Sequence, residues 1–444
     1  MTNISKIPDV SQFLLYEDRM MDPARPTGLW FCASVYDVQT VGVNACCLHM
    51  AGDWDDLSGC REFFELFPYI LILAADDAQR ERMVDELRKR LNYVPLLVVP
   101  GRNFKGCKTV TEFYRNFGPK AVETLLCGAE ELPAYGLLNL TDVKRVDPLN
   151  TNRTRACIPE LDRAIGGFYD GELSVWTARR GEGKSTLLGQ ILLQAVDQGR
   201  SVCAYSGELP KEQFKQWVSI QAAGPNNIVP HEDKRTGKVY YTVPDHIQKR
   251  IDEWWNRRFF LYDLGISTAH DEDSILDIFT LAHRCYGCDV FLVDNIMTAR
   301  FKTGREVDYY RAQSNFTGRL VSFAKRYGVH VHLVAHPRKT GNASLAADDV
   351  GGSGEIVNRA DNAFSLMRLD EAAAEKAGFQ CGLEVLKNRA FGAHVKVGLD
   401  FEPTSRRFYK SGTGNPEWRF GWEFDGGQVA MRGEPVNGDP FKGA

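Results

Sequence analysis

The stretch Leu173 to Thr186, LSVWTARRGEGKST, constrains this chain more than any other. Leu173, Val175 and Trp176 have the apolar character of a buried strand, and an apolar helical pattern follows from Thr186 to Val196. Between them lie Gly181, Gly183, Lys184 and Ser185, so the order is strand, small-residue loop, helix. Backbone N–H groups of such a loop and of the helix N-terminus surround a polyphosphate. Lys184 then reaches the terminal phosphates and the Ser185 hydroxyl ligates magnesium. The pattern G-x-x-x-x-G-K-[ST] is met with one departure, Ala178 at the first glycine, where any small residue suffices. The sequence therefore predicts contacts to ATP or another nucleoside triphosphate, with Mg2+, from Ala178, Arg179, Arg180, Gly181, Glu182, Gly183, Lys184, Ser185 and Thr186.

A phosphate loop of this kind needs a sheet behind it, and the flanking sequence supplies one. With 444 residues, 43% of them hydrophobic, the chain has material for a large core and two domains. Residues 1–28 read as irregular and polar. From Gly28 the runs LWFCASVYD, VNACCLHMAG and PYILILAADD, the amphipathic helix Ala78 to Leu91 and the strand VPLLVV make a smaller α/β domain over 29–130. Helices at Thr109 to Asn116 and Lys120 to Leu126 close it. A polar, proline-containing linker covers 131–156. The larger domain, 157–411, alternates strands (SVCAYSGE, FFLYD, VFLVD, VHVHLVAH) with helices at 210–223, Asp271 to Tyr286 and Glu306 to Tyr327. That alternation implies a parallel sheet. Three short strands with tight links, NAFSLMR, LEVLKNR and HVKVGLDF, end it, and a loose glycine-rich tail occupies 412–444.

Composition narrows the class. No stretch is apolar enough to span a membrane and the start MTNISKIPDVSQ lacks a signal peptide's pattern, so a cytosolic location is expected. Eleven cysteines lie scattered without a disulfide framework, and the lone C-x-x-C, Cys285 and Cys288, has no partner pair for zinc. With 54 Lys and Arg against 58 Asp and Glu, the net charge of −4 excludes a generally basic nucleic-acid coat. Any DNA contact must be local.

Hydrolysis requires more than phosphate binding: a carboxylate to hold magnesium through water and another to orient the attacking water. Asp294 ends CDVFLVD and Glu208 follows SVCAYSG, each at the carboxyl end of an apolar strand, where open α/β sheets place their ligands. Either acid alone is as often a helix cap. Two of them downstream of a phosphate loop point to catalysis.

Here the chain resembles the RecA-like hexameric replicative helicases of the DnaB type, and within them the Twinkle and phage primase-helicase branch, over residues 155 to 410. GFYDGELSVWTARRGEGKST is similar to that family's first motif, YSGELPKEQ to its catalytic-glutamate motif and VFLVDN to its magnesium motif. VHLVAHPRK and DVGGSGEIVNRADNAFSL resemble the γ-phosphate-sensing and DNA-loop motifs. The resemblance implies that Glu208 polarises the attacking water, Asp294 and Ser185 serve magnesium, and His336 senses the γ-phosphate. It further implies that Lys387 and Arg389 act as a finger in a neighbouring subunit's site, and that Arg368 and Phe401 sandwich the nucleotide base. A buried strand-end histidine, solvated edge cations and core packing of Phe401 are the plain alternatives. For DNA, the segment Pro337 to Glu355 is expected to contribute Arg338, Lys339, Gly352, Ser353 and Gly354.

The smaller domain, from Trp30 to Leu126, resembles a TOPRIM fold that has lost its chemistry. Two-metal phosphoryl transfer needs clustered carboxylates. Ala33, Val35 and Ala75 stand where acids are expected, leaving Asp37 and Asp77. The expected architecture is thus α/β throughout, a RecA-like parallel-sheet ATPase domain preceded by a TOPRIM-like domain. The expected activity is ATP-dependent unwinding of DNA, 5′ to 3′, without primer synthesis. Its expected partners are single-stranded and forked DNA, further copies in a hexamer or heptamer, and a replicative polymerase and single-strand-binding protein, in a bacterial cytoplasm as a nucleoid-associated or phage-encoded protein. A RecA-type or clock-type ATPase that does not unwind, a primase-helicase that also makes primers and a non-enzymatic DNA-binding or loader subunit are the competing readings.

Overall fold

The computed structural model describes residues 14–16, 28–42, 44–48, 54–134, 136–147, 151–265, 271–299, 301, 306–337, 354–413 and 419–424. Two compact units divide the chain, residues 1–146 and 147–444, the division falling inside the stretch expected to be a linker. No helix among the described residues is long and apolar enough to cross a membrane.

The first unit is a six-stranded sheet in the order β1-β3-β2-β4-β5-β6. Its strands are β1 (Leu14–Tyr16), β2 (Leu29–Cys32), β3 (Ala45–Leu48), β4 (Ile70–Leu73), β5 (Leu96–Val98) and β6 (Glu130–Glu131). Its helices are α1 (Val35–Val41), α2 (Arg61–Phe64), α3 (Asp77–Arg90), α4 (Val110–Phe117) and α5 (Pro119–Cys127). The inner strand pairs are parallel and the two edge pairs antiparallel. Side chains alternate: Phe31, Ile70 and Ile72 enter one buried cluster, Cys32, Leu71 and Leu73 the other. Two expectations are corrected. Residues 14–16 form an edge strand rather than irregular chain. The run LWFCASVYD breaks at Ser34, whose hydroxyl accepts the Asp37 N–H at 3.3 Å and starts α1 instead of a longer strand.

The second unit carries a nine-stranded sheet in the order β13-β10-β14-β15-β9-β16-β17-β18-β19. It opens with β7 (Arg153–Thr154), α6 (Pro159–Ile165), β8 (Phe168–Tyr169), β9 (Leu173–Ala178), α7 (Lys184–Asp197), β10 (Val202–Ser206) and α8 (Lys211–Ala223). Next come β11 (Val229–Asp233), β12 (Lys238–Thr242), α9 (Asp245–Trp254), β13 (Phe259–Leu261), α10 (Glu272–Tyr286), β14 (Val290–Asp294), α11 (Glu306–Tyr327) and β15 (His330–Val334). The chain then forms α12 (Gly354–Arg359), β16 (Asn362–Arg368), α13 (Glu371–Ala377), β17 (Cys381–Asn388), β18 (Lys396–Glu402) and β19 (Arg407–Lys410).

From β13 to β16 every pairing is parallel, while β17, β18 and β19 add antiparallel strands. On β9, Trp176 and Ala178 face the layer of Leu187, Leu188 and Ile191 on α7. Leu173 and Val175 face Ile275 and Phe279 on α10 and Phe316 and Leu320 on α11. Helices thus cover both faces of the parallel part, and each large side chain so buried stabilises the fold by roughly 1.5–3 kcal/mol.

The link between β16 and β17 is a helix, α13, capped by Asp370 through the Ala373 N–H at 2.8 Å, rather than a tight turn. The β11–β12 hairpin, α9 and β19 are further elements that the sequence reading did not separate out. The region after Gly412 is not uniformly loose: Phe420 and Trp422 are buried against Leu193, Ala222, Ile247 and Ile251, and the Trp422 indole N–H donates to the Ala222 carbonyl at 3.0 Å.

Candidate active site

Four strands deliver their carboxyl ends to one edge of the second sheet. Register fixes this: Ser206 of β10 lies opposite Asp294 of β14, Val293 opposite Leu333 of β15, and Val334 opposite Trp176 of β9. Chain leaving those ends carries Glu208, Asp294, His336 and the phosphate loop to a common rim. Two glycines make the loop possible. Gly181 and Gly183 take φ of 82° and 91°, and a Cβ on Gly183 would stand 2.7 Å from the Phe408 ring. Glu182 folds back so that its carboxylate accepts the Arg179 backbone N–H at 2.7 Å. Arg179 and Arg180 are exposed, and the Thr186 carbonyl accepts the Gln221 amide at 2.8 Å.

Lys184 is buried at the start of α7. Burial pushes its ammonium below the ordinary value, while Asp294, Glu208 and Glu182 pull the other way. Asp294 is also buried. Its carboxyl is pushed up by desolvation, against a hydrogen bond from Ser185 and the charge of Lys184. One Asp294 oxygen, Oδ1, has no hydrogen-bond partner among the described residues. An orphaned carboxylate oxygen beside a serine hydroxyl and a lysine fits a hydrated divalent cation and a phosphate, so the residues present suit a magnesium–nucleotide ligand.

Glu208 is half-exposed. Its Oε1 lies 3.2 Å from His336 Nε2 and accepts the Asn295 side-chain amide, which also stands 3.0 Å from His336 Nε2. Asn295 is buried and its Oδ1 accepts the Met297 N–H at 2.8 Å, so the holder is itself held. The β10 exit is tight: the Gly207 N–H donates to the Asp294 carbonyl at 2.8 Å, and a Cβ on Gly207 would lie 2.0 Å from Thr298 Oγ1. The sequence reading passed over Asn295, Gly207 and Phe408. Of these only Asn295 had a signal, its place directly after the strand-end aspartate.

Arg368 ends β16 on the same rim, and its backbone N–H reaches the Glu182 carboxylate. Phe401 of β18 lies on that rim too, half-buried, its ring 4.9 Å from Phe408. Lys387 and Arg389 do not join them. Because β17 runs antiparallel, Cys381 pairs with Arg368 while Asn388 pairs with Asn362, which itself pairs with Ser174 at the amino end of β9. The Lys387 ammonium donates to the Val357 and Asn358 carbonyls at 2.8 and 3.0 Å. The Arg389 guanidinium pairs with Asp361 at 2.9 Å, its side chain 51% exposed. These two cations sit at the rim opposite the phosphate loop. Arg338, Lys339, Gly352 and Ser353 lie outside the described residues, and Gly354 opens α12.

The chain is similar to the replicative DNA helicase DnaB of Helicobacter pylori. One strain's protein is 24% identical over 158 residues, 31% of this chain and 32% of that protein. Another strain's is 22% identical over 203 residues, 46% of this chain and 36% of that protein. The chain thus spans about a third of the length of these relatives. A solved structure of an ATPase domain aligns at 17% identity and a TM-score of 0.49, covering 59% of this chain and 92% of that one. Residues 155–410, more than half of the chain, match the DnaB-like helicase C-terminal domain, and the chain belongs to that family.

Proposed function

We propose that the chain is a nucleotide-driven, ring-forming motor that translocates on single-stranded DNA, 5′ to 3′, and unwinds duplex ahead of a replicative polymerase and single-strand-binding protein. Its resemblance to the Twinkle and phage primase-helicase branch, with a hexamer or heptamer as the working form, supports the finer part of this reading. The observation that carries it is the convergence of Lys184, Asp294, Glu208, Asn295 and His336 on one rim. Lys184 meets the β- and γ-phosphates. Glu208 orients the attacking water and takes its proton, and His336, in contact with Glu208, reads whether the γ-phosphate is present. Ser185 and Asp294 would hold magnesium, which when bound neutralises charge on the phosphates. Arg368 and Phe401 flank the base. Arg389 and Lys387 reach into the site of an adjoining copy, and the segment from Pro337 to Glu355 touches DNA.

The reading extends to a first unit without primer synthesis. Of its two retained acids, Asp37 is buried and accepts the Thr111 N–H at 3.0 Å and hydroxyl at 3.2 Å, while Asp77 lies at the surface beside Arg80. Nucleotidyl transfer needs clustered carboxylates for its metal pair, and Ala33, Val35 and Ala75 stand where the further acids are expected. The deciding experiment measures single-strand-stimulated ATP hydrolysis and fork unwinding on the same preparation. Hydrolysis without strand displacement would favour a RecA-type ATPase, and templated ribonucleotide synthesis would overturn the account of the first unit.

A further inference from the structure

Between α8 and α9 the chain leaves the body of the second unit as the β11–β12 hairpin. Among the described residues its roots are what anchor it, Ile228 and Val243 packing against the cluster of Leu193, Ala222, Ile251 and Trp422. Beyond them no strand residue is fully buried, and Val229, Val239 and Tyr240 are 42%, 49% and 54% exposed. Pairing puts Val229, His231, Tyr240 and Thr242 on one face and Pro230, Glu232, Val239 and Tyr241 on the other. An isolated two-stranded ribbon wet on both faces is marginal by itself, and a ligand laid along it would cover Val229 and Tyr240 on one face.

The tip, DKRTGK from Asp233 to Lys238, says which. Asp233 is turned inward on the loop, accepting the Arg235 N–H at 2.9 Å and the Thr236 hydroxyl at 2.8 Å. Lys234, Arg235 and Lys238 are exposed, and no carboxylate among the described residues pairs with any of them. Cations on the neighbouring helix behave otherwise, Lys211 pairing with Asp263 and Lys215 with Asp252. Three cations without ion-pair partners, outnumbering Glu232 and Asp233 on the same tip, suit a polyanion and repel a copy of themselves. Five residues per strand give a ribbon about 17 Å long, and a two-stranded β-ribbon fits the major groove of duplex DNA. A single strand is better served by an enclosing groove than by a free ribbon.

We infer that the β11–β12 hairpin is a duplex-DNA contact, its ribbon entering the major groove with Lys234, Arg235 and Lys238 on backbone phosphates and Tyr240 against the groove wall. The site rests on the reading of this chain as a DNA motor and gives that motor a grip on the duplex arm of a fork, apart from the single strand on which it travels.

The test uses the full chain and its variant Lys234→Gln/Arg235→Gln/Lys238→Gln, titrated with a blunt duplex and with a single strand of equal length over a range of salt. Each lost phosphate contact makes the salt dependence of duplex affinity shallower by about 0.9. Three of them mean that wild-type affinity falls roughly 40-fold more than the variant's over a fourfold rise in salt. Single-strand affinity and single-strand-stimulated hydrolysis stay at wild-type levels. Glu232→Gln, which removes an anion from the same ribbon, raises duplex affinity. An unchanged duplex salt slope in the triple variant, no gain with Glu232→Gln, or loss of self-assembly as the triple variant's only defect would each overturn the inference. Wild-type protein without single-strand-stimulated hydrolysis would instead sink the motor reading, and the duplex titration would still decide the hairpin.

Discussion

His336 Nε2 lies 3.2 Å from Glu208 Oε1, at the ends of strands separated in the sheet by β14. The side chain that bridges them is Asn295, buried on the intervening strand's exit and in contact with both. Asn295 positions rather than reacts. Asn295→Ala is expected to lower kcat for nucleotide hydrolysis by about 10- to 100-fold, the scale of a misplaced catalytic group, with nucleotide Kd little changed. Asn295→Asp places a second carboxylate against Glu208 and should be worse. Wild-type kcat in the alanine variant would reduce the contact to packing.

Lys184 and Glu208 separate binding from chemistry. Lys184→Ala removes the cation from the phosphates, whereas Glu208→Gln keeps the shape of the pocket and loses only the proton acceptor. Both variants should lack turnover, and only Glu208→Gln should retain appreciable affinity for a fluorescent ATP analogue. Equal loss of binding in the two would make Glu208 a structural residue.

The antiparallel course of β17 puts Arg389 on the rim away from Lys184, so a role in hydrolysis requires a second copy. Arg389→Ala should bind ATP nearly normally and lose hydrolysis by roughly a thousandfold or more, as finger arginines do. Mixing Arg389→Ala with Glu208→Gln protein should restore some turnover at mixed interfaces. No recovery at any ratio, with both variants assembling normally, would retire the finger.

Acid should weaken the second unit through β15. His330 and His332 are fully buried. His330 Nδ1 lies 2.7 Å from the Tyr169 carbonyl and Nε2 3.0 Å from Ser174 Oγ, a pattern that wants a neutral ring protonated at Nδ1. Burial lowers His330 to about 4 and His332 well below the ordinary 6.5. The unfolded chain therefore takes up a proton on residue 330 near pH 6.5 that the folded chain refuses until about 4. The His330 contribution, on the order of 3 kcal/mol, is complete above 6.5 and is lost as pH falls from there to about 4, and His332 acts in the same direction. Asp162, pushed up to about 6 by burial, works in the opposite sense, so the comparison must be with a variant. Urea midpoints for wild type and His330→Asn between pH 7.5 and 4.5 should differ in slope, the variant being flatter. Parallel curves would refute the assignment.

The parallel strands were legible because β9, β10, β14 and β15 are short apolar runs closed by polar residues, and the acids that matter sit where those runs stop. Asn295 had a visible place, directly after Asp294, but its role shows only once two other strand ends are known to adjoin it. The β11–β12 hairpin escaped because Glu232, Asp233 and Lys238 replace the apolar alternation that marks a strand lying on a core. Phe420 and Trp422 are two aromatics in a glycine-rich stretch. Only the distant helices α7, α8 and α9 make them core.

Gln190, midway along the helix that Lys184 opens, exchanges two hydrogen bonds with the backbone of Phe408: its amide donates to the carbonyl at 3.0 Å and its oxygen accepts the N–H at 2.8 Å. The partners are 218 positions apart. During synthesis the phosphate loop leaves the ribosome long before the strand that braces its helix exists, and closing so long a loop is slow as well as late. A nascent chain stopped short of β19 carries every residue of the nucleotide motif on a helix whose inner face is still open. Competence to grip ATP is therefore acquired only once β19 has been made, and truncations that spare the motif but remove residues 407–424 should yield protein held by chaperones rather than a smaller ATPase.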